Sequence, residues 1–161
     1  MKFALFIVIG ILAMSCRTKK NAETVVEAPS KNETTPTTMK IVKVTAEIGK
    51  INNDYASDPI TIDTIEIRRN IMYIDVTYSG GCEEHDFQVI GSNVTAKSMP
   101  AIRSVQLIHK ANGDSCKGLK KVKLEVYIED LAEQQVAGSK IYLTVDGWNG
   151  KLLYEFQEGG H

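Results

Sequence analysis

The chain of 161 residues carries 19 basic and 20 acidic side chains, which gives a formal net charge of −1 at pH 7. This balance argues against a protein that attracts nucleic acid or another acidic polymer through its overall charge. The length suits one domain of ordinary size, and the hydrophobic share of 43% is enough for a core.

The chain begins with MKFALFIVIGILAMSC, which has the order of an export signal. Lys2 precedes an apolar run over residues 3–12, and about ten residues are too few to span a bilayer, which needs roughly 20. The last part, LAMSC, resembles the lipobox of bacterial lipoproteins in the relaxed form found in Bacteroidota, with Met14 where a small residue is usual. The resemblance implies a signal peptide over residues 1–15 and lipid, including palmitate, on Cys16. The alternatives are a secreted protein with a free Cys16 and a signal anchor.

Residues 16–39 are predicted to be the lipidated cysteine followed by a flexible tether. Apart from Val25 and Val26 the segment is largely polar, so it cannot bury enough surface to offset the entropy of ordering. It starts with the basic stretch RTKK, whereas similar lipoproteins sent to the cell surface often carry acidic residues at this point. We therefore expect a cell-envelope location at the outer membrane, facing the periplasm, with the membrane contacted through the lipid.

A pattern of period two begins at Lys40 and predicts β-strands through the rest of the chain. In KKVKLEVYI, for example, charged residues alternate with apolar ones, which is typical of a strand with one buried face. Turn signals separate about eight such runs, and only the stretch 129–138 could form a short helical turn. The sequence predicts an all-β fold: an antiparallel β-sandwich, Greek-key or immunoglobulin-like, with a closed β-barrel as the alternative. We expect one domain over residues 40–158 and a frayed tail over 159–161.

Three cysteines are present, at Cys16, Cys82 and Cys116. If Cys16 carries lipid, an even pair remains in an exported chain. Disulfides form and persist in the oxidising compartments outside the cytoplasm. This arithmetic predicts a bond between Cys82 and Cys116.

The predicted strand directions bring two cysteines, two histidines and a tryptophan to one end of the domain. If successive strands alternate in direction, the loops at 80–84, 111–118 and 146–150 lie at the same end of the domain. The first loop is flanked by Cys82 and His85, the second by His109 and Cys116, and the third contains Trp148.

The alternation of side chains between the two faces of a strand predicts that both histidines point inward. His85 shares a face with Phe87, and His109 shares a face with Leu107. If the two strands pair with Phe87 opposite Leu107, His85 stands opposite His109.

Three hypotheses account for this group. The first is a Cys82–Cys116 disulfide that ties two loops, with both histidines as satisfied residues at the rim of the core. The second is a zinc or copper site that uses His85 and His109, with or without the two cysteines, although the spacing lacks the usual paired signature. The third is catalysis by Cys82 as a nucleophile with a histidine base.

The predicted domain resembles small Bacteroidota lipoproteins that have a β-sandwich body and a segment similar to GGCEEHDF. This resemblance implies no mechanism. We predict a membrane-tethered, non-enzymatic binding or structural module without catalytic residues or a cofactor, with a periplasmic zinc- or copper-binding protein as the alternative. The disulfide-bearing loop end is its expected working surface for a protein or glycan partner. Trp148 could stack there on a sugar, or it could fold back over the end of the domain.

Overall fold

The computed structural model describes residues 39–52 and 55–159. The predicted signal peptide, the lipidation site Cys16, the tether up to residue 38 and the last two residues of the predicted tail lie outside the described residues. Within the described ranges, no helix has the length and apolar character that crossing a membrane would require.

In the part of the chain that the structure describes, eight strands and one short 3₁₀ helix make up the fold, so the predicted all-β class and the strand number are confirmed. The strands are β1 Lys40–Gly49, β2 Thr61–Arg68, β3 Ile71–Gly80, β4 Asp86–Ala96, β5 Ala101–Lys110, β6 Gly118–Tyr127, β7 Lys140–Val145 and β8 Leu152–Glu155. The single-turn 3₁₀ helix, Glu129–Leu131, falls where the sequence allowed a short helical turn.

The strands form one sheet in the order β2-β3-β6-β1-β4-β5-β7-β8. The two end strands, β2 and β8, come into contact, so the sheet nearly closes on itself. β1 joins its two halves, because residues 40–45 pair with β6 and residues 46–49 pair with β4. Of the two predicted architectures, the barrel alternative is therefore the nearer one.

The expectation of a wholly antiparallel arrangement needs correction. β1 is parallel to both β4 and β6, and β5 is parallel to β7. Alternation of apolar and polar residues reports which face of a strand is buried, but it does not report the direction of the neighbouring strand. The faces were predicted correctly, since Met72, Ile74 and Val76 of β3 are buried together with Val122 and Leu124 of β6.

Two buried polar side chains fix the end of the domain that lies away from the cysteines. Asn70 donates to the carbonyl oxygen of Gln157 at 2.6 Å, and its Oδ1 accepts from the hydroxyl of Tyr154 at 3.1 Å. Arg103 donates through Nε to the carbonyl oxygen of Leu131 at 3.0 Å, and its guanidinium also reaches the carbonyl oxygen of Ser92. These contacts satisfy buried groups that would otherwise be costly to desolvate.

Candidate functional site at the disulfide-linked end

Two loops meet at one end of the domain, as the sequence predicted. The loop 81–85 leads from β3 to β4, and the loop 111–117 leads from β5 to β6. They meet because the end of β3 pairs with the start of β6, while the start of β4 pairs with the end of β5. Each loop therefore passes from one half of the sheet to the other, and their tips face each other.

The predicted disulfide joins these two loops. Cys82 and Cys116 are bonded, with 5.9 Å between their Cα atoms and a sequence separation of 34 residues. A bonded sulfur is not a thiolate, and only the thiolate is a nucleophile or a metal ligand. In the oxidised chain, catalysis by Cys82 and a metal site built on two thiolates therefore lack the atoms they need.

Asp114 is the centre of the site, a role that was not predicted from the sequence. Its Oδ2 accepts hydrogen bonds from the backbone N–H groups of Gly81, Cys82 and Glu83 at 2.6, 2.9 and 3.1 Å. Its Oδ1 accepts from the backbone N–H of Cys116 at 2.8 Å. The hydrogen bond from Cys116, together with those from Glu83 and Gly81, holds the pKa of this carboxyl well below its usual range, despite the opposing effect of burial.

The two histidines extend from this carboxylate as a chain of hydrogen bonds. Nε2 of His85 lies 3.1 Å from Oδ2 of Asp114, and Nδ1 of His85 lies 2.7 Å from Nε2 of His109. Nδ1 of His109 then lies 3.3 Å from the carbonyl oxygen of Asp58. The side chains of His85 and Asp114 are 1% and 0% exposed, so this chain of hydrogen bonds is closed to solvent.

The number of ring protons that this chain of hydrogen bonds requires follows from the groups at its two ends. Both ends, the carboxylate of Asp114 and the carbonyl of Asp58, only accept, so three hydrogen bonds need three ring protons. Two neutral imidazoles carry two protons. Placed on Nε2 of both rings, these protons serve the two shorter contacts and leave the 3.3 Å contact between Nδ1 of His109 and the carbonyl oxygen of Asp58 without a proton. Burial, above all, lowers the pKa of His109 and favours its neutral form.

The strand register differs from the predicted one by two residues. Phe87 stands opposite His109, and Val89 stands opposite Leu107. A slip of two residues keeps every side chain on its face, so both imidazoles point inward as predicted. His85 precedes β4 and approaches His109 from the loop.

Aromatic rings and a bare glycine enclose the imidazoles. Tyr78 stacks on His85 with ring centroids 4.5 Å apart, and Phe87 stacks on His109 at 5.2 Å. A Cβ atom on Gly80 would lie 2.6 Å from the ring of His85 and 2.9 Å from Oδ2 of Asp114. Gly80 is thus the buried end of β3, and it leaves the space that the His–Asp contact fills. Burial, followed by the charge of Asp114, raises the pKa of Tyr78.

The segment before β2 closes the remaining side. The backbone N–H of His109 donates to Oγ of Ser57 at 3.1 Å, and its carbonyl accepts from the N–H of Asp58 at 2.8 Å. The carboxylate of Asp58 also accepts from the backbone N–H of Ala111 at 2.6 Å. This part of β5 has no β7 beside it, and residues 57–58 take over its edge.

Trp148 lies apart from the two loops. β7 runs parallel to β5 but pairs with it only as far as Val105, whereas β5 continues to Lys110. The turn after β7 is therefore beside the middle of β5 and not beside its end. Trp148 is half-buried there and packs against the hydrophobic core.

The atoms offered to a metal are already in use. Sγ of Cys82, Sγ of Cys116 and a carboxylate oxygen of Asp114 lie within 4.8 Å of one another, but the sulfurs are bonded. Nδ1 of His85 and Nε2 of His109 face each other and not a common point. A zinc or copper site at these residues stays a prediction, and it requires the disulfide or the histidine contact to open.

The chain has no match among protein-family models or curated proteins. Among solved structures it is similar to a NigD-like immunity protein from Bacteroides caccae, with a TM-score of 0.50 and 19% identity over 70% of this chain and 58% of that one. A DUF1344 protein of unknown function from Bacteroides vulgatus gives a TM-score of 0.44, with 9% identity over 76% of this chain and 59% of that one. A putative toxin-related protein from Parabacteroides distasonis gives a TM-score of 0.43, with 17% identity over 70% of this chain and 59% of that one.

At 19% identity the Bacteroides caccae protein shows the fold alone. This chain spans less than two thirds of the length of each of the three proteins. All three come from Bacteroides or Parabacteroides.

Proposed function

We propose that the protein is a non-enzymatic binding module of the cell envelope, tethered through Cys16 to the outer membrane and facing the periplasm, with the disulfide-linked loop end as its working surface. The observation that carries this proposal is the direction of the polar groups at that end. The buried groups all bind one another, and charged side chains remain exposed on the loop tips.

The buried groups are poorly placed for catalysis. A general base or nucleophile must come within hydrogen-bond reach of a substrate. His85, His109 and Asp114 are enclosed and already paired with protein atoms. Their contacts instead fix the positions of two loops that a short turn alone would leave free to move.

The exposed groups suit a partner. Glu83, Glu84 and Asn112 lie at the surface of the two loops, and the disulfide and the carboxylate of Asp114 hold the loops together. Binding residues are often carried on loops that a rigid scaffold positions. A fixed surface also loses less conformational entropy when it binds.

The description of the Bacteroides caccae protein as an immunity protein supports a choice of partner. We take the partner to be an antibacterial protein that reaches the envelope from a related bacterium. β1 begins at the loop end, where Lys40 Nζ lies 3.7 Å from Glu84. The chain that precedes β1 and carries Cys16 therefore joins the domain at this end, which suits a partner that acts at the membrane.

A protection assay tests the proposal. A strain without the protein would receive the wild type, the double variant Glu83→Lys/Glu84→Lys, or a control with Glu133→Lys/Glu158→Lys, which changes two exposed acids away from the loops. Each strain would be challenged with secreted proteins of related strains. We expect protection by the wild type and the control, and loss of protection with the loop variant. Equal survival of all strains, including the one without the protein, would contradict the proposal.

A further inference from the structure

A cleft opens in the wall of the sheet where β7 ends. β7 pairs with β5 only as far as Val105, and the ladder finishes with the backbone N–H of Asp146, which donates to the carbonyl oxygen of Val105 at 2.9 Å. Further along β5, residues 57–58 take over the edge at His109. Between these two points lies a cleft of about 380 Å³, which is within the size range of sites for small molecules.

The edge of β5 inside this cleft is formed by Leu107. The N–H and carbonyl groups of His109 point away from β4, since they bond to Ser57 and Asp58. Backbone groups alternate between the two edges of a strand, so the N–H and carbonyl of Leu107 point away from β4 as well. No residue in the described part of the chain forms a hydrogen bond with them on that side. The cleft therefore offers one backbone acceptor and one backbone donor.

Gln106 supplies a second acceptor. Its Oε1 is buried and has no hydrogen-bond partner among the described residues. Such an oxygen is uncommon in a folded protein, because removing it from water is costly. The side chain lines the cleft, and turning its amide so that Oε1 faces the cleft breaks no hydrogen bond of that oxygen. A donor that enters the cleft would therefore gain a hydrogen bond without displacing another.

Acidic and apolar side chains complete the lining. Asp58 and the exposed Asp146 border the cleft, together with Ile60 and Ile62, which also pack against the core. Among the described residues that line the cleft, none is basic, so its charge favours a cation over an anion. The β5 cleft, as we name it, comprises Asp58, Ile60, Ile62, Gln106, Leu107 and Asp146.

We propose that the β5 cleft binds a primary ammonium group carried on a short aliphatic stem. An ammonium group has three N–H donors and no acceptor, which matches the carboxylate of Asp146, Oε1 of Gln106 and the carbonyl oxygen of Leu107. The stem would lie on Ile60 and Ile62, away from water. A free amine and the side chain of a lysine on another protein share this chemistry. The inference depends neither on the lipid anchor nor on the loop end given under the proposed function.

A nitrogen-15 NMR titration of the full chain tests this. Pentylamine carries the ammonium group on an unbranched stem, and 1-pentanol is the matched neutral compound. We expect pentylamine to cause saturable shifts at the backbone N–H of Leu107, the side-chain amide of Gln106 and the indole of Trp148, which lies in the turn after β7. The backbone N–H of Cys82 should not shift. We expect 1-pentanol to bind about tenfold or more weakly, because it lacks the charge that strengthens a hydrogen bond to Asp146.

Variants assign the contacts. Asp146→Asn should weaken the binding of pentylamine about tenfold or more, and Gln106→Leu, which removes a neutral acceptor, about threefold or more. The control Glu158→Gln removes an exposed acid outside the cleft and should keep the wild-type affinity. If Gln106→Leu does not fold, the comparison of pentylamine with 1-pentanol on the wild type still decides the matter.

A second titration separates the two sources of the ammonium group. Nα-acetyl-lysine amide presents it on a peptide residue. Binding as tight as that of pentylamine would assign the ligand to a lysine of a protein partner, and binding of pentylamine alone would assign it to a free amine. The proposal would be overturned by the absence of saturable shifts with both amines, by equal affinities for pentylamine and 1-pentanol, or by an unchanged affinity in Asp146→Asn. The protection assay with the loop variants is independent of these results.

Discussion

Nδ1 of His85 lies 2.7 Å from Nε2 of His109, although the two residues are 24 positions apart. One ring comes from the loop before β4 and the other from the last residues of β5. Their contact continues through Asp114 into three backbone N–H groups of the loop that carries Cys82. The histidines are thus one end of a buried polar link that positions two loops.

Asp114→Asn tests the role of the carboxylate. An amide keeps the shape but has only one accepting oxygen, so its NH₂ group must face either the N–H of Cys116 or those of Gly81, Cys82 and Glu83. We expect a lower free energy of unfolding and faster exchange of these backbone amide protons, measured by urea denaturation and by NMR.

The control for this substitution is Asp146→Asn, which removes an exposed carboxylate. Its stability should stay within about 0.5 kcal/mol of the wild type. Equal effects of the two substitutions would show that the carboxylate of Asp114 does not hold the loops.

Acid should destabilise the domain in two steps. Because burial lowers the pKa of His109, the unfolded chain binds more protons as the pH falls through about 6.5, and the free energy of unfolding decreases. The lowered pKa of Asp114 gives a second decrease that begins near pH 4, where the unfolded carboxyl takes up a proton. Urea denaturation at a series of pH values measures both steps.

Two histidine variants separate the first step from other acid effects. His109→Gln should remove the decrease near pH 6.5, and His161→Gln should leave it unchanged. A profile for His109→Gln that parallels the wild type through this range would count against the assigned origin.

Gly80→Ala tests the close packing of the His–Asp contact. The added Cβ would lie 2.6 Å from the ring of His85, so the ring or the backbone must move. Overpacking of this kind costs roughly 1–3 kcal/mol. The neighbouring substitution Ser79→Ala, at an exposed position of the same strand, should change stability by no more than about 0.5 kcal/mol. Indistinguishable unfolding curves for the two variants would be the contrary result.

Reduction of the disulfide should weaken the domain without unfolding the site completely. For cysteines with a sequence separation of 34 residues, the loop-entropy model gives roughly 3–4 kcal/mol. The double variant Cys82→Ser/Cys116→Ser should show a loss of this size in urea denaturation. Mass spectrometry after alkylation without reductant should find both thiols blocked from labelling. Labelling of both cysteines in the untreated protein would mean that the bond is absent.

Much of the site could be predicted from the alternation of side chains along the strands and from the number of cysteines. The inward direction of His85 and His109 follows from the apolar residues that share their faces, and the disulfide follows from an even pair of cysteines in a chain predicted to be exported. The direction of β1 could not be obtained in this way, because alternation is the same for parallel and antiparallel neighbours. The direction of β7 agrees with the alternation of successive strands, but the sequence does not show that β7 ends beside Val105, and this is why Trp148 was placed with the loops.

The role of Asp114 was harder to foresee. In the sequence it closes an Asn112-Gly113-Asp114 stretch that is ordinary for a turn. Its partners, Gly81 to Glu83, come from a loop more than 30 positions away, and no local sequence pattern predicts that contact. The one available signal was Gly80, a glycine at the end of a strand beside an inward histidine, where a missing side chain suggests close approach.

The central claim is that His85 and His109 form a closed structural link and not an open metal site. Nitrogen-15 NMR of the two imidazoles in the oxidised protein tests it most directly. The account predicts that the ring of His109 is neutral at pH 7.5, with a proton on Nε2 and none on Nδ1, and that one equivalent of Zn²⁺ leaves the shifts of both rings unchanged. Shifts of both rings on addition of Zn²⁺ would contradict it.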